Sequence, residues 1–529
     1  MGEIGMARIE GIETIGDIVR HHGRLHPHKI ALIFQGERID YQSLDARSNQ
    51  IAHALLAAGI KPGQRIAHFG KNSADYFALV FAAAKIGAVL VGINWRLSPA
   101  EARYILIDSE SRLLFSDRDM PPLLEADDQA DNEPCRSILI GAGDESGLMA
   151  FYRPHAKSDP QIAVDDDAVL YQMYTSGTTG HPKGAEITHK GVLLPRQMDD
   201  LIDAREWHRW TGDEVQLVQA PVFHLTGNVW AMIGLYVGAT LVVHRDFDMD
   251  RIFDDIEREK ISHAIFVPAM LMAMVQHPRA KTTDYQSLVA IYYGASPIPL
   301  DLLRHALSLF QSDFIQLYGM TEISGSATYL PAADHDPSGD NPRMRSAGKP
   351  FPWARIKIID ELGQSLPPHQ VGEVLIKTDT VMRGYWKRPD ATQAVLSDGW
   401  FHTGDAGLLD EDGYLYIHDR IKDMIISGGE NIYPAEVESC LFAHPGIRDV
   451  AVIGVPSPQW GEAVKAIVVS DDPSLEAEDV IAFARAQIAG FKCPRSVDFI
   501  TALPRNASGK ILKRDLRAPY WDQQDRQVN

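Results

Sequence analysis

The densest concentration of reactive groups is the segment Tyr174-Thr175-Ser176-Gly177-Thr178-Thr179-Gly180-His181-Pro182-Lys183-Gly184, preceded by an apolar run from Ala168 to Leu170. Glycines let the backbone bend until its N–H groups converge, hydroxyls add donors, and Lys183 adds a positive charge. That combination suits the oxygens of a polyphosphate. It is not a Walker A loop, because Gly177 is not followed at the required spacing by Gly-Lys-Ser/Thr. Taken alone, the segment fits a surface loop as well as a phosphate cradle.

Further segments follow in order. Tyr318-Gly319-Met320-Thr321-Glu322 places an aromatic ring, a small turn, a hydroxyl and a carboxylate together. In Gly399-Trp400-Phe401-His402-Thr403-Gly404-Asp405 a carboxylate follows a glycine turn, suited to accepting hydrogen bonds from two ribose hydroxyls. Asp419-Arg420-Ile421-Lys422-Asp423 and Ser427-Gly428-Gly429-Glu430-Asn431-Ile432-Tyr433-Pro434 come next, and Leu503 to Lys513 carries Ser508-Gly509-Lys510. From Arg505 to Arg517 basic residues outnumber acidic ones, against the sign of the whole chain.

In this order the segments resemble the adenylate-forming superfamily of acyl-CoA synthetases, luciferases and peptide-synthetase adenylation domains. The resemblance runs from about Gly16 to Arg517, and Ser427 to Pro434 is most similar to bacterial fatty-acyl- and aryl-CoA ligases. It implies an α/β multidomain fold with a large N-terminal domain of covered sheets plus a β region, and a small mobile C-terminal α+β domain. It also implies two half-reactions. A carboxylate attacks the α-phosphate of Mg-ATP to give an acyl-adenylate and pyrophosphate, and the thiol of coenzyme A then displaces AMP. Carboxylates are poor acyl donors until their oxygen becomes a good leaving group, and the first step needs charge neutralised around phosphorus.

The resemblance assigns Thr175, Ser176, Gly177, Thr178, Thr179 and Gly180 to phosphate binding, with Lys183 beside them. It places Tyr318 on the adenine and Gly294, Ala295 and Ser296 along the base, with Gly319 and Thr321 nearby. Glu322 would hold Mg2+, helped by Thr175; a hard cation with oxygen ligands suits a lone carboxylate and phosphate oxygens. Asp405 would bind the ribose, supported by Arg420. Lys510 corresponds to the catalytic lysine of adenylation and Lys422 to the hinge between half-reactions. Gly428 and Gly429 correspond to the passage for the pantetheine arm. Each residue also has an ordinary structural reading, as a turn carboxylate, a solvated lysine or a turn glycine.

The acyl pocket is less legible. Pro221 to Asn228 matches the segment that lines and gates it, with Phe223, His224 and Asn228 as wall residues; His224 reads equally as a core histidine. Peptide-synthetase domains usually carry an aspartate here to pair an amino group, and Phe223-His224 disfavours an amino-acid substrate. Tyr293, Gly294, Gly319, Met320 and Ser324 are expected to shape the cavity. The expected substrate is a hydrophobic carboxylate, a medium- or long-chain fatty acid, with an aryl or arylalkanoic acid as the near alternative. A fatty-acyl-AMP ligase that loads a carrier protein and a non-catalytic nucleotide- or acyl-binding protein are the rival readings.

The elements that must position these groups follow from composition and period. The chain has 529 residues, 45% hydrophobic and 23% charged, with 51 Lys and Arg against 71 Asp and Glu for a net charge of −20. That is globular composition, and its sign argues against nucleic acid as a partner. Three separated cysteines give no disulfide framework or cysteine zinc site, and His21, His22, His26 and His28 fit no zinc spacing. The start lacks a signal-peptide pattern, so a cytoplasmic enzyme without a transmembrane segment is expected. Peripheral membrane contact and a homodimer stay open.

Asp40 should cap a helix through Leu55, and Phe77 to Ile93 reads as a buried helix followed by a strand, interrupted by Lys85. Helix–strand alternation over the first four hundred residues predicts parallel covered sheets. Residues 126–134 read as an acidic surface loop, Trp207 and Trp210 as part of another, and Val480 to Ile488 as a helix before Gly490. The expected division is 1–419, a hinge at 420–422, and 423–529.

Overall fold

A computed structural model describes residues 8–124, 135–141, 146–175, 182–203, 206–338, 341–505 and 510–521. The stretch 126–134, the loop Ser176 to His181 and Asn506 to Gly509 lie outside the described residues. Among the described residues the strands form four sheets, and the fold is mixed α/β.

A seven-stranded sheet runs in the order Gly384–Tyr385, Lys183–Thr188, Val169–Thr175, Val89–Ile93, Arg65–Phe69, Leu113–Asp117, Arg136–Ile140. Its strands from Val169–Thr175 onward pair in parallel. A nine-stranded sheet contains, as neighbours, His263–Phe266, Ala290–Gly294, Asp313–Met320 and Gly325–Leu330. These two sheets share a core with the helices Ala74–Ile86 and Leu225–Val237, which are buried along most of their length. Parallel strands need crossovers, and helices covering the faces are how such sheets stay dry.

Local chemistry fixes the element ends. The Asp40 carboxylate accepts from the Ser43 N–H at 2.7 Å, opening the helix Tyr41–Ala57. Ser73 caps Ala74–Ile86 and Gly87 closes it with φ +68°, a conformation that glycine adopts without a Cβ penalty. Lys85 lies near the end of that helix with its side chain fully buried. Its ammonium donates to Asp45 Oδ1 at 2.5 Å, Ser48 Oγ at 2.8 Å and Asn49 Oδ1 at 2.6 Å, all on the neighbouring helix. A charge this deep in the core is tolerated because every proton on it has a partner.

An antiparallel sheet follows, in which Ala354–Ile359, Gly372–Thr378, Trp400–Leu409 and Leu415–Arg420 pair in turn. The last sheet holds Ile425–Ser427, Glu430–Ile432, Asp449–Ser457, Gly461–Val469 and Ser496–Phe499. Alternate residues of Asp449–Ser457 serve two cores. Val450 and Val452 face the helices Pro434–Phe442 and Ala477–Arg485, while Ala451, Ile453 and Val455 face the helix Lys513–Trp521. The period-two alternation of a strand makes both faces apolar at once.

Two expectations are corrected. Trp207 and Trp210 are not on the surface: both are buried, Trp207 edge-on to Tyr292, Tyr329 and Phe351, and Trp210 stacked obliquely on His263 at 4.5 Å. The polar residues His208 and Arg209 between them disguised an inward-facing pair. The helix expected from Val480 to Ile488 spans Ala477–Arg485 instead; Glu476 and Asp479 form a capping box that sets its earlier start. Lys85→Ala should destabilise the protein by about 3–5 kcal/mol, as expected on breaking a buried ion pair. Urea unfolding followed by circular dichroism measures it.

Candidate active site

The Gly/Thr segment lies between two antiparallel strands, Val169–Thr175 and Lys183–Thr188. Thr175 and Lys183 are the last pair of that ladder, so they face each other at the mouth of the connection. Ser176, Gly177, Thr178, Thr179 and Gly180 lie outside the described residues. The Lys183 ammonium sits 4.7 Å from the centre of the Tyr385 ring, and the Tyr385 hydroxyl donates to Glu322 Oε1 at 2.8 Å. A lysine and a carboxylate from distant segments are thus gathered on one tyrosine. Burial and the Glu322 charge push the Tyr385 hydroxyl well above its ordinary pKa, so it stays a donor. Glu322 is carried on a single helical turn, Thr321–Ile323, whose Glu322 carbonyl accepts the Met382 N–H at 2.8 Å.

Asp405 and Arg420 lie opposite each other on adjacent antiparallel strands. Asp405 is buried, and both its oxygens are engaged: Arg420 Nε reaches Oδ1 at 2.7 Å and the Tyr318 hydroxyl donates to Oδ2 at 2.6 Å. Arg420 Nη1 also donates to the Thr403 carbonyl at 3.0 Å. Burial opposes the Arg420 charge, yet Asp405, Tyr318 and Glu322 together hold its pKa above the usual value. Tyr318 is raised by burial and by Asp405 and remains protonated.

Two glycines next to Tyr318 are demanded by backbone contact. A Cβ on Gly294 would lie 2.2 Å from the Leu317 carbonyl oxygen, and one on Gly319 would lie 1.9 Å from that of Gly325. Ala295 follows Gly294 in the left-handed region at φ +68°, which turns the chain toward Ser296 away from the strand. The ladder between Asp313–Met320 and Gly325–Leu330 slips between Tyr318 and Gly319, which re-aims Met320 and Thr321.

The expected wall residues divide. Phe223 is buried with its ring 4.7 Å from that of His224. Burial and the nearby Arg96 charge lower the His224 pKa to about 4, so the ring is neutral at pH 7, and its buried Nε2 has no hydrogen-bond partner among the described residues. Asn228 and Tyr293 spend polar atoms internally: Asn228 donates to the Tyr76 hydroxyl at 2.5 Å, and the Tyr293 hydroxyl is 2.9 Å from His335 Nε2. Ser324 is buried at φ +58° with its hydroxyl unpartnered among the described residues.

In the C-terminal segments, Gly428 and Gly429 form the two-residue turn between Ile425–Ser427 and Glu430–Ile432, with φ +63° and +87°. Such a hairpin turn requires positive φ at both positions, which by itself favours glycine. A Cβ on Gly428 would come within 2.8 Å of the Trp460 ring, whereas one on Gly429 would meet nothing within 4 Å. Lys422 is on the turn Ile421–Asp423, where burial and the cations Arg420, Lys510 and Arg517 lower its pKa to about 8, against the pull of Asp423. Lys510 keeps an exposed surface. The surrounding protein and Arg420 lower its pKa, opposed by Asp405, Asp423 and Asp419. Lys510 therefore shares the electrostatic field of Asp405 and Arg420, far from it in sequence.

Sequence reasoning missed Tyr385. It stands in Gly384-Tyr385-Trp386-Lys387, where a two-residue strand has no period to read.

Asp405 is thus a buried, doubly paired carboxylate, and Lys183 and Glu322 meet on Tyr385; similarity to known proteins makes the chain an AMP-forming acid–thiol ligase. The chain belongs to the AMP-binding enzyme family. The family model for the AMP-binding enzyme matches residues 19–386, and that for the AMP-binding enzyme C-terminal domain matches 436–510. It is 41% identical over 523 residues to a fatty acid–[acyl-carrier-protein] ligase, ScoC, of Streptomyces coeruleorubidus, covering 98% of both chains. It is 38% identical over 510 residues to a feruloyl-CoA synthase of an Amycolatopsis species, covering 96% of this chain and 99% of the other. Among solved structures, ATP-bound MatB from Rhodopseudomonas palustris superposes with a TM-score of 0.85 at 29% identity, covering 97% of this chain and all of that one.

Asp405→Asn should raise the KM for ATP about 10- to 100-fold, the effect of weakening charged hydrogen bonds worth ~1.5–3 kcal/mol. ATP–pyrophosphate exchange measures it. Because burial lowers the His224 pKa to about 4, its ring should show no protonation step between pH 5 and 8 by NMR.

Proposed function

We propose that this ligase activates a hydrophobic carboxylate, a medium- or long-chain fatty acid, and passes the acyl group to coenzyme A. In the first step a substrate carboxylate oxygen forms a bond to the α-phosphorus of ATP, and the bond to pyrophosphate breaks. In the second the coenzyme A sulfur bonds to the acyl carbon, AMP leaves with the electron pair, and the thiol proton is released. The observation that carries this reading is the buried Asp405 carboxylate, held by Arg420 at 2.7 Å and by the Tyr318 hydroxyl at 2.6 Å, with Lys510 among the charges that act on this pair. A cation delivered from the tail beside a ribose-binding carboxylate is placed to stabilise charge on the phosphates.

Within this reading Asp405 accepts the ribose hydroxyls, and Arg420, 2.7 Å from its Oδ1, holds the carboxylate in place. Tyr318 flanks the base, with Gly294, Ala295, Ser296 and Gly319 giving backbone access. Lys183 and the 175–180 loop receive the phosphate oxygens. Glu322 is a hard oxygen donor at the mouth of that loop and, with Thr175, fits Mg2+, which when bound would neutralise phosphate charge. Its Oε1 accepts from Tyr385, an arrangement that orients the carboxylate. Phe223 and neutral His224 make an apolar, uncharged wall, consistent with a substrate bearing no amino group. Gly428 and Gly429 line the thiol's approach. Lys422 serves as the hinge between an N-terminal domain, 1–419, and a C-terminal domain, 423–529.

A second reading transfers the acyl group to a carrier-protein thiol, and it is favoured by the 41% identity to the ScoC ligase. An aryl acid is favoured by the similarity to a feruloyl-CoA synthase. One assay separates them: AMP and thioester formation from Mg-ATP across acids from acetate to palmitate plus benzoate, phenylacetate and cinnamate types, with coenzyme A or a phosphopantetheinyl carrier protein. Palmitate-like acids should give thioester with coenzyme A; turnover only with the carrier, or only with aryl acids, would replace this reading. Lys510→Ala should lower adenylation at least ~100-fold, the scale of removing one transition-state charge contact. Thioester formation from supplied acyl-adenylate should persist, as single-turnover assays of each half-reaction can show.

A further inference from the structure

The residue beside Arg420, Asp419, makes one contact to Arg420 itself and two that lead away from the ribose site. Asp419 is the penultimate residue of the strand Leu415–Arg420. Its Oδ2 accepts the backbone N–H of Ala435 at 3.0 Å and lies 3.4 Å from Lys513 Nζ, while Oδ1 accepts the Arg420 N–H at 2.7 Å. Asp419 and Lys513 are both largely buried, with side-chain exposures of 10% and 13%.

Both outward contacts cross the turn Ile421–Asp423. Ala435 is the second residue of Pro434–Phe442, a helix whose own N-cap, Tyr433, offers no side-chain acceptor. Its N–H is one of the donors every helix start leaves without an intrahelical partner, and a carboxylate there also meets the positive end of the helix. Asp419 therefore supplies, from the other side of the turn, the cap this helix lacks. Lys513 begins the helix Lys513–Trp521, three residues after Lys510. The connection between them is short and tied: Ile511 bridges Arg505, and the Leu512 N–H donates to the Pro504 carbonyl at 2.8 Å. Fixing Lys513 thus limits where Lys510 can stand.

Lys513 has a second carboxylate, Glu438 on Pro434–Phe442, at 2.9 Å. If the Asp419 contact opens, the buried ammonium retains a partner, so release does not strand a charge. The Asp419 contact can accordingly hold one orientation without locking it.

We propose that Asp419 is a positioning residue for the first half-reaction: by capping Pro434–Phe442 and holding Lys513, it sets Lys510 against Asp405 and Arg420. The inference rests on the reading of Lys510 given above. Asp419→Asn keeps an oxygen acceptor for Ala435 but removes the charge that faces Lys513. In the full-length enzyme, it should lower the single-turnover rate of adenylation about 10-fold, the low end for a charged hydrogen bond. The KM for ATP and the rate of thioester formation from supplied acyl-adenylate should stay within about twofold, since neither uses Lys510, and Asp419→Glu should recover part of the adenylation rate.

Lys513→Met provides an independent check, and in combination with Asp419→Asn its effect on adenylation should be less than multiplicative. Equal loss in both half-reactions, accompanied by a lowered Tm, would make Asp419 a merely structural cap and overturn the proposal. Wild-type adenylation in Asp419→Asn, while Lys510→Ala is impaired, would overturn it and leave the assignment of Lys510 intact. Unimpaired adenylation in Lys510→Ala would remove the underlying reading itself.

Discussion

A buried carboxylate must be fully paired or it destabilises everything around it, and Asp405 is the point where this constraint organises the site. Its two oxygens are claimed by Arg420 across a strand pair and by Tyr318 from a different sheet. The first contact fixes the register of Trp400–Leu409 against Leu415–Arg420; the second ties that antiparallel sheet to the end of Asp313–Met320. Tyr318 can reach only because Gly294 and Gly319 let neighbouring backbones close up. The pairing holds a carboxylate, a hydroxyl and a guanidinium oriented in one place, which is what a polar ligand needs from a preorganised site.

Charge is distributed with the same economy. The chain carries a net −20, yet Arg420, Lys422, Lys510, Lys513 and Arg517 converge from two segments remote in sequence, 420–422 and 510–517. Cations brought this close repel, and the structure answers by interleaving carboxylates: Asp405 on Arg420, Asp419 and Glu438 on Lys513, Asp423 on Arg517 at 2.6 Å. Lys422 shows the residual strain, its pKa falling to about 8 where burial and three cations outweigh the pull of Asp423. A polyanionic substrate entering such a field would relieve repulsion, so binding and charge neutralisation are the same event.

The sheets place this field at their ends and the glycine-rich connections carry it. Thr175 and Lys183 close a hairpin at a sheet end, Gly294 and Met320 end neighbouring strands, and Glu322 rides a single turn after one of them. Rigid strands fix the positions from which short irregular segments project, a division of labour common to α/β sites. The last sheet is apolar on both faces and packed on each by helices, so it has a core of its own.

How much of this the chain itself disclosed differs by residue. Motifs whose members are adjacent could be picked out as candidates: the Gly/Thr segment, Tyr318 to Glu322 and Gly399 to Asp405 stand out by residue type and spacing. The helix start at Asp40, and the helix–strand reading of Phe77 to Ile93, followed from local capping and period, which act over a few residues. Tyr385 was invisible because a two-residue strand has no period, and the burial of Trp207 and Trp210 was hidden by the polar pair between them. The sequence by itself determined which groups could do chemistry and the order in which they occur. Only the tertiary structure decided that Tyr318 and Arg420 share Asp405, that Lys183 and Glu322 meet on Tyr385, and that Asp419 reaches Ala435 and Lys513. Those contacts join residues far apart in the chain, and nothing in a one-dimensional pattern states which distant carboxylate a cation meets once the core has folded.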